Sequence, residues 1–327
     1  MHDALIALDV RHGRSSSAWG SAVYTRELAR ALGDRVRPLA GPSGVPDVLW
    51  EQVLLPARLR ARRFALVHAP HCFLPLRRPC PGVVTVHDLA FEERPEDFTP
   101  RMRAKFRTLV PRAARSAERV ICVSEFTRAD VCRRYGVDPR RTRVVHLAPA
   151  LPHGELPVPA GPYLLAVGAL HPKKNLRRLV RVHARLRAEG LPHRLVLAGP
   201  DEGEGPALAG HTHVELTGQL GDARLDALMR GADALVHPSL YEGFGLAPVE
   251  AMARGVPVAV AACTALPEAT AGAAALFDPR EESDIVRAVR ELLSDREGWA
   301  ARGRARVAAL SWAATAAATA AVYLELL

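Results

Sequence analysis

Residues 233–262 read DALVHPSLYEGFGLAPVEAMARGVPVAVAA. The apolar run ALVH predicts a buried strand, and PVEAMARG, with apolar residues at three- and four-residue steps, predicts a short helix. The run VPVAVAA then predicts a second buried strand. A strand, a helix and a further strand in so short a stretch indicate one unit of a parallel sheet that is covered by helices.

The same alternation extends over the whole chain. Apolar, β-branched runs recur at ALIALDV, FALVHAP, GVVTVHD, RVICVS and RVVHLAP in the first half, and at YLLAVG, HRLVLAG, HVELTG and AALFD in the second. Amphipathic stretches such as SAVYTRELARAL and KNLRRLVRVHARLRAEG separate them. This regular alternation predicts an α/β fold in which each half forms its own doubly wound parallel sheet.

The length and one proline-rich stretch predict two domains. At 327 residues the chain is about twice the size of a typical domain, and five prolines within residues 146–162 predict a linker. We therefore predict a first domain over residues 1–150, a second over 151–310, and a separate alanine-rich helix over 311–327. Ligands of open parallel sheets bind beyond the carboxyl ends of the strands, which predicts a site in a cleft between the two sheets.

The composition is that of an ordinary globular protein, with 49% hydrophobic and 24% charged residues. Charged residues are expected to interrupt every apolar run before the roughly 20 residues that a membrane span needs. The opening MHDALIALDVRHGR predicts a first strand and not a secretory signal, so we expect a soluble, cytoplasmic protein. The five cysteines form no C-x-x-C pair, so neither a zinc site nor a disulfide framework is indicated.

The positive charge is concentrated in the first half. Residues 1–155 contain 26 Lys and Arg against 16 Asp and Glu, whereas the remainder contains 18 against 19. This suits an anionic partner, such as an acidic acceptor, a membrane surface or a nucleic acid, or else arginines that keep exposed helices soluble. Only 5% of residues are aromatic, which argues against nucleic acid as the partner.

Residues 98–120 alternate basic and apolar residues and predict either a membrane-surface helix or a core-packed helix with a basic face.

The segment from Tyr241 to Glu250 places a glycine-rich loop directly before a helix. Free backbone N–H groups and the helix dipole favour an anion there, such as a diphosphate, beside the hydroxyls of a sugar. Glu242 lies in the loop and Glu250 in the helix, so their carboxylates can accept hydrogen bonds from two sets of hydroxyls, such as those of a hexose and a ribose. The simpler alternative is a glycine turn with Glu250 on the surface.

EGFGLAPVEAMARGVPVAV closely resembles the donor-binding region of the retaining glycosyltransferases of family 4. The resemblance extends to GALHPKKNLRRLV, HRLVLAG and LTGQLGDARLDALMRGADALV, and in the first half to SAVYTRELARAL, HAPHCFLPL, VVTVHDLAF and VSEFTRADV. It covers nearly the whole chain in the right order. It implies the GT-B fold, with two Rossmann-like domains that face a cleft and a C-terminal helix that crosses back to the first domain.

The resemblance implies a role for each matching residue. In such enzymes the glutamate at the position of Glu242 faces the transferred sugar, and the one at Glu250 holds the nucleotide ribose. The lysine at Lys174, in a loop that begins at Gly168, neutralises the leaving diphosphate, which stabilises the transition state more than the ground state. The predicted donor site is completed by the loop residues Gly243, Phe244, Gly245 and Leu246.

The chain departs from the family pattern beside Lys174. Many members carry an arginine directly after the glycine or directly before the lysine, and here these positions hold Ala169 and Lys173. Lysine offers a point charge and not a planar fork, so we predict a simple phosphate contact for Lys173, with a solvated helix-terminal lysine as the alternative. By analogy with the family, Glu268 is predicted to contact the nucleotide base or its loop.

The first half supplies candidates from the acceptor side. The resemblance assigns His87, at the end of a predicted strand, to contact with the donor sugar. Asp88 is predicted to orient the His87 ring or to shape the acceptor pocket. His68 and His71 are weaker candidates, because strand-end histidines can simply cap loops, and of the two His71 is predicted to bind the acceptor.

The polar loop after the first strand, within DVRHGRSSSAWGSAVYTREL, is predicted to present backbone N–H groups to the donor phosphates. The family usually has more glycine there, whereas this chain keeps only Gly20 before Ser21. The serines are therefore alternatively predicted to bind the acceptor. In VSEFTRADV, Ser124 is predicted to cap a helix whose first turn contains Glu125.

No D-x-D motif occurs, so the usual carboxylate site for a metal–nucleotide complex is missing. We therefore predict catalysis without metal or cofactor, by attack of the acceptor on the face from which the diphosphate leaves. The expected donor is a GDP, UDP or dTDP sugar, with GDP-mannose first, and the acceptor is unidentified. The alternatives are an epimerase or phosphorylase of the same architecture, or a basic non-enzymatic binding protein. A nicotinamide enzyme is disfavoured because no G-x-G-x-x-G follows the first strand.

Overall fold

The computed structural model describes residues 5–11 and 19–327, and it divides into two compact units. The first unit combines Met1–Ala148 with Leu310–Leu327, and the second is Pro149–Ala309. The first unit is therefore assembled from both ends of the chain.

The first unit contains a six-stranded sheet in which every pairing is parallel. Its strands are β1 (Ile6–Asp9), β2 (Arg37–Leu39), β3 (Leu66–Ala69), β4 (Gly82–Val86), β5 (Arg119–Cys122) and β6 (Thr142–Val144), in the order β2-β1-β3-β4-β5-β6. The strand β2 was not predicted. It has three residues, lies at the sheet edge and includes a proline, so it lacks the apolar run that marks the central strands.

Helices cover this sheet. They are α1 (Trp19–Leu32), α2 (Asp47–Leu49), which continues through a π-helical turn at Trp50–Leu54 into α3 (Leu55–Ala61), then α4 (Ala90–Glu93), α5 (Pro100–Ser116) and α6 (Glu125–Tyr135). Helix α5 buries Val110, Ala113 and Ala114 in the core, while Arg101 and Arg112 are exposed. This helix has the geometry of a core-packed helix with a basic outer face.

The second unit contains a second six-stranded parallel sheet. Its strands are β7 (Tyr163–Val167), β8 (Arg194–Ala198), β9 (Val214–Gly218), β10 (Ala234–His237), β11 (Val258–Ala261) and β12 (Ala275–Phe277), in the order β12-β11-β10-β7-β8-β9. The helices are α7 (Leu176–Ala188), α8 (Gly205–Leu208), α9 (Asp222–Arg230), α10 (Leu246–Ala253), α11 (Leu266–Thr270), α12 (Glu282–Ser294) and α13 (Arg296–Ala308). The strand order reverses between β7 and β10, as it does in dinucleotide-binding Rossmann sheets.

The last helix, α14 (Trp312–Leu324), packs on α1 and belongs to the first unit. Ser311 caps it by accepting the N–H of Ala314 at 3.1 Å. Thr315 donates its hydroxyl to the carbonyl of His146 at 2.8 Å, and the Tyr323 hydroxyl lies 2.6 Å from Nδ1 of His68. Polar contacts to buried partners thus fix the position of this alanine-rich helix.

The expectation that charges interrupt every apolar run was wrong for this end of the chain. Residues 307–324 contain no charged side chain, and the segment Arg296–Leu324 is long and apolar enough to cross a membrane by length and composition alone. In the structure that segment is two helices, α13 and α14, with α14 packed on the first unit. The run reflects small alanines, which pack closely against a protein surface as readily as against lipid.

Candidate functional site

The two adjacent strands at the reversal point of the second sheet, β7 and β10, lead into the loops with the predicted donor residues. The loop after β7 contains Gly168 and Lys174, and the loop after β10 contains Glu242 and ends at the N-terminus of α10. Ligands of such sheets bind beyond the carboxyl ends of the strands at this point. The topology therefore brings together residues that are far apart in the sequence.

Lys174 and Glu242 form a direct ion pair, with 2.5 Å between Nζ and Oε1. The same Oε1 atom lies 3.0 Å from Nε2 of His237, the last residue of β10. Although burial favours the neutral acid, the charge of Lys174 and the hydrogen bond from His237 hold the pKa of Glu242 well below its usual range. Glu242 is therefore a carboxylate at neutral pH, clamped by two donors.

Asn175 joins the two loops. Its backbone adopts the left-handed conformation, with φ of 56°, which among side-chain-bearing residues asparagine tolerates best. Its Nδ2 donates to the carbonyl of Pro238 at 3.3 Å and to that of Pro279 at 2.8 Å. A second link runs from the N–H of Leu240 to the carbonyl of Lys173 at 2.8 Å. These bonds tie the lysine turn to the loop that carries Glu242.

Two glycines allow the close approach of these loops. Gly168 has φ of 142°, and a Cβ there would lie 3.1 Å from Cε of Lys174. Gly245 has φ of 107°, and a Cβ there would lie 2.7 Å from Leu266. Any larger residue would be strained at both positions and would displace Lys174 in the first case and Leu266 in the second.

The rest of the glycine-rich loop is well packed. Gly243 and Phe244 are buried and Leu246, the first residue of α10, is half-buried. The N–H of Glu242 donates to Oγ1 of Thr264 at 3.1 Å, which fixes the backbone where the carboxylate emerges. Glu268, the predicted contact of the nucleotide base, lies on α11, and its backbone carbonyl accepts a hydrogen bond from Arg306. It is not part of the cluster formed by Lys174, His237 and Glu242.

Glu250 has partners that its sequence context did not indicate. It is 1% exposed, and its Oε1 accepts the N–H groups of Ala150 and Leu151, the latter at 2.8 Å. Its Oε2 accepts from Nη1 of Arg254 at 3.0 Å. The surface position that was the alternative prediction is therefore wrong. Burial raises the pKa of Glu250, and the two backbone donors and Arg254 counteract it only in part.

Arg254 connects Glu250 to a second buried carboxylate. Its Nε lies 2.8 Å from Oδ1 of Asp226, and its Nη2 donates to the carbonyl of Leu151 at 2.7 Å. The other oxygen of Asp226 accepts from Gly154 at 2.9 Å and from Arg230 at 2.7 Å. Several residues within the proline-rich stretch predicted as a linker are thus bound to the second unit. We call Glu250, Arg254, Asp226 and Arg230 the tether network.

His87 lies at the carboxyl end of β4 in the first unit, where the sequence predicted it. Its Nε2 is 2.8 Å from the carbonyl of Pro70, so Nε2 carries the proton and donates. Tyr24 meets the ring edge-on, with 4.8 Å between centroids. Burial, more than the opposing effects of Pro70 and Asp88, lowers the pKa of His87. The ring is held by Pro70, while the carboxylate of Asp88 accepts the N–H of Ala90 at 3.0 Å.

Two further histidines of the first unit, His68 and His71, are buried. Nε2 of His71 lies 3.6 Å from Asp9, whose carboxylate also accepts from Trp50 at 3.2 Å. His68 is fully buried within β3, between Tyr323 and Thr85. His68 is therefore a structural residue of the core, and His71 lies at the carboxyl ends of β1 and β3.

Part of the predicted phosphate loop, residues 12–18 with their three serines, lies outside the described residues. Gly20 and Ser21 follow in the first turn of α1, where the Ser21 carbonyl accepts from Thr25 at 2.8 Å. Ser124 caps α6 as predicted, since its hydroxyl accepts the N–H of Thr127 at 3.0 Å.

Sequence reasoning missed His237, Asn175 and the tether network. One signal for the lysine turn was available in the composition, because the chain has 3 lysines against 41 arginines and two of the lysines are Lys173 and Lys174. Within residues 5–11 and 19–327, no group of three His, Cys, Asp or Glu could hold a metal ion. The cluster formed by Lys174, His237 and Glu242 offers hydrogen-bond donors, a cation and a carboxylate, which suit a phosphorylated sugar.

Comparisons with known proteins agree over both units. The family described as glycosyl transferases group 1 matches residues 154–307, and glycosyltransferase family 4 matches residues 22–148. O-antigen chain mannosyltransferase B of Escherichia coli is 30% identical, over 78% of this chain and 72% of the relative. Two solved structures align at a TM-score of 0.74: sucrose-phosphate synthase from Thermosynechococcus elongatus, at 21% identity over 98% of both chains, and Anabaena HepE in complex with UDP and glucose, at 18% identity over 99% of this chain and 100% of the other.

Proposed function

Since the chain belongs to the family 4 glycosyltransferases and has the GT-B fold, we propose that it transfers a hexose from a nucleoside diphosphate sugar to an acceptor, with retention of the anomeric configuration. The observation that carries this proposal is the contact of Lys174 with Glu242 at the reversal point of the second sheet. That contact supports a single site at which a cation for the diphosphate adjoins a carboxylate for sugar hydroxyls.

The roles follow from the chemistry of each group. Lys174 has three N–H donors, so it can turn to a phosphate oxygen while it stays close to Glu242. As the glycosidic bond breaks, the phosphate gains negative charge, and a nearby cation lowers the barrier. Lys173 adds positive charge on the same turn, and the N-terminus of α10 adds backbone N–H groups.

Glu250 is the proposed ribose ligand, and its contacts within the protein limit where a ribose hydroxyl can bind. A carboxylate has about four acceptor positions, and three are taken by Ala150, Leu151 and Arg254. A ribose hydroxyl would take the remaining position, on Oε2. In this proposal Glu268 contacts the base, and His87 and Asp88 serve the sugar and the acceptor from the first unit.

The reaction needs no metal in this proposal, because Lys174 and the backbone donors balance the diphosphate charge. The acceptor hydroxyl attacks on the face from which the diphosphate leaves, and the departing phosphate takes its proton. A mannosyl donor is the first choice, since one relative is an O-antigen mannosyltransferase, and UDP sugars come next, since HepE was solved with UDP.

We expect the acceptor to be anionic. The first unit carries the positive excess, and Arg101 and Arg112 on α5 are exposed and form no ion pair with any residue in the described part of the chain. Changing both to glutamine should raise KM for the acceptor and leave donor affinity unchanged. An unchanged acceptor KM would remove α5 from the acceptor site.

The first test is nucleotide binding. Thermal-shift and calorimetric titrations with GDP, UDP and dTDP, in excess chelator, should identify one base that binds. A ligand at 100 times its dissociation constant stabilises the folded protein by about 2.7 kcal/mol. The change Lys174→Ala should weaken binding and lower turnover roughly a hundredfold, or about 3 kcal/mol.

Lys105→Ala is the matched control, because it removes a lysine of the first unit that interacts with Asp47 and Phe73. If wild-type protein bound none of the three nucleotides, or if Lys174→Ala and Lys105→Ala bound the nucleotide with equal affinity, the proposed function would be wrong. Analysis of the product separates transfer from epimerisation and phosphorolysis, and a strict need for a divalent ion would overturn the metal-free mechanism.

A further inference from the structure

His237 is a buried histidine whose ring faces the proposed sugar carboxylate. It ends β10 and is 3% exposed. Its Nε2 lies 3.0 Å from Oε1 of Glu242 and 3.1 Å from the hydroxyl of Ser239. A carboxylate only accepts hydrogen bonds, so Nε2 must carry the proton and donate to Glu242.

The side-chain hydrogen bonds of Glu242 are confined to one of its two carboxylate oxygens. Lys174 and His237 both bind Oε1, and no residue in the described part of the chain forms a hydrogen bond with Oε2. The carboxylate is thus held at one oxygen and open at the other. The small cavity lined by Lys174, His237 and Ser239 has a volume of about 10 Å³, which is too small for a sugar.

We propose that His237 is a positioning residue for the transferred sugar, which holds Oε1 of Glu242 so that Oε2 accepts a hydroxyl of the hexose. This inference rests on the proposed function, in which Lys174 is shared between Glu242 and the diphosphate when the donor binds. His237 is then the donor that keeps Glu242 in place without also binding the diphosphate. A neutral ring suits this task, and burial, with some opposition from the bond to Glu242, lowers the pKa of His237.

The test uses two substitutions of similar size. His237→Leu removes the donor, whereas His237→Gln keeps an N–H that can reach the position of Nε2. Release of nucleoside diphosphate from the donor sugar gives kcat and KM, and calorimetry gives the Kd of the free nucleoside diphosphate, which has no sugar. We expect His237→Leu to lower kcat roughly tenfold or more with Kd within about twofold, and His237→Gln to recover most of the loss.

A double-substitution cycle shows whether His237 acts through Glu242. In a Glu242→Ala background, His237→Leu should have little further effect on kcat, because the side chain that His237 holds is already gone. His183→Leu is the matched control: this buried histidine of α7 bonds the carbonyl of His193, and its loss should lower stability without changing kcat.

Three results would overturn the inference. One is a wild-type kcat in His237→Leu; another is an equal loss of kcat and nucleoside diphosphate affinity, which would mean that His237 supports the whole nucleotide site. The third is full additivity with Glu242→Ala. By contrast, wild-type protein that binds no nucleoside diphosphate would overturn the proposed function itself, and the inference with it.

Discussion

His68 makes the stability of the first unit depend on pH. The ring is fully buried, with Nδ1 2.6 Å from the Tyr323 hydroxyl and Nε2 2.8 Å from Oγ1 of Thr85. Burial above all, and then the nearby His71 and His87, lower the pKa of His68 to about 3. The ring therefore stays neutral in the folded protein at any pH at which the protein would be used.

The sign of the effect follows from linkage. In the unfolded chain His68 titrates near its ordinary value of about 6.5, so between about pH 6.5 and pH 3 only the unfolded chain binds the proton. Stability is complete above about pH 6.5 and falls by about 1.4 kcal/mol for each pH unit below it. Between pH 6.5 and pH 5, the expected loss is about 2 kcal/mol.

The assay compares wild-type protein with His68→Gln, which carries no titrating group at this position. Urea unfolding at pH 7.5 and pH 5.0 is followed by tryptophan fluorescence, since three of the four tryptophans belong to the first unit. His68→Gln lowers stability at both pH values, but that constant cost cancels in the difference between them. Wild-type protein should lose about 2 kcal/mol more than the variant on acidification. Equal losses in the two proteins would refute the reasoning.

Three further predictions concern the second unit and the ends of the chain. Arg254→Met removes the centre of the tether network and should destabilise the second unit by about 3–5 kcal/mol, whereas Arg181→Met, which breaks an exposed pair with Glu282, should cost less than about 1 kcal/mol in the same thermal unfolding. Deletion of residues 311–327 should lower the melting temperature of the first unit and leave that of the second unchanged, which calorimetry resolves as two transitions. Asn175→Ala should destabilise the protein by about 1–2 kcal/mol more than Asn175→Gly, because glycine accepts the left-handed backbone and alanine does not. Both variants lose the same side-chain bonds, so a smaller gap would contradict the backbone argument.

The four central strands of the second sheet, β7, β8, β10 and β11, were predictable because they are almost wholly buried and form apolar runs. The strands of the first sheet were predicted except for Arg37–Leu39. This segment forms a strand because it pairs with β1, and its own residues do not indicate one. Local pattern is informative where burial dictates composition. It is uninformative where a short edge strand forms because a neighbour offers free backbone groups.

In the candidate site, too, some residues were predicted from the sequence and others were not. Lys174 and Glu242 were predicted as members of one site, and they are in contact although 68 residues separate them. His237 and the partners of Glu250 were not predicted, since hydrogen bonds between distant segments leave no periodic trace in a sequence. The strand-end position that pointed to His87 applies equally to His237, so that argument could have found it.

The tether network changes how substitutions at Glu250 must be understood. Removing this carboxylate would delete the proposed ribose ligand and at the same time release the main chain at Ala150 and Leu151. A drop in affinity after Glu250→Ala would therefore combine a lost contact with a disordered segment. The amides hold Oε1 while the ribose hydroxyl is proposed for Oε2, so one acid would anchor the main chain and bind the nucleotide at the same time.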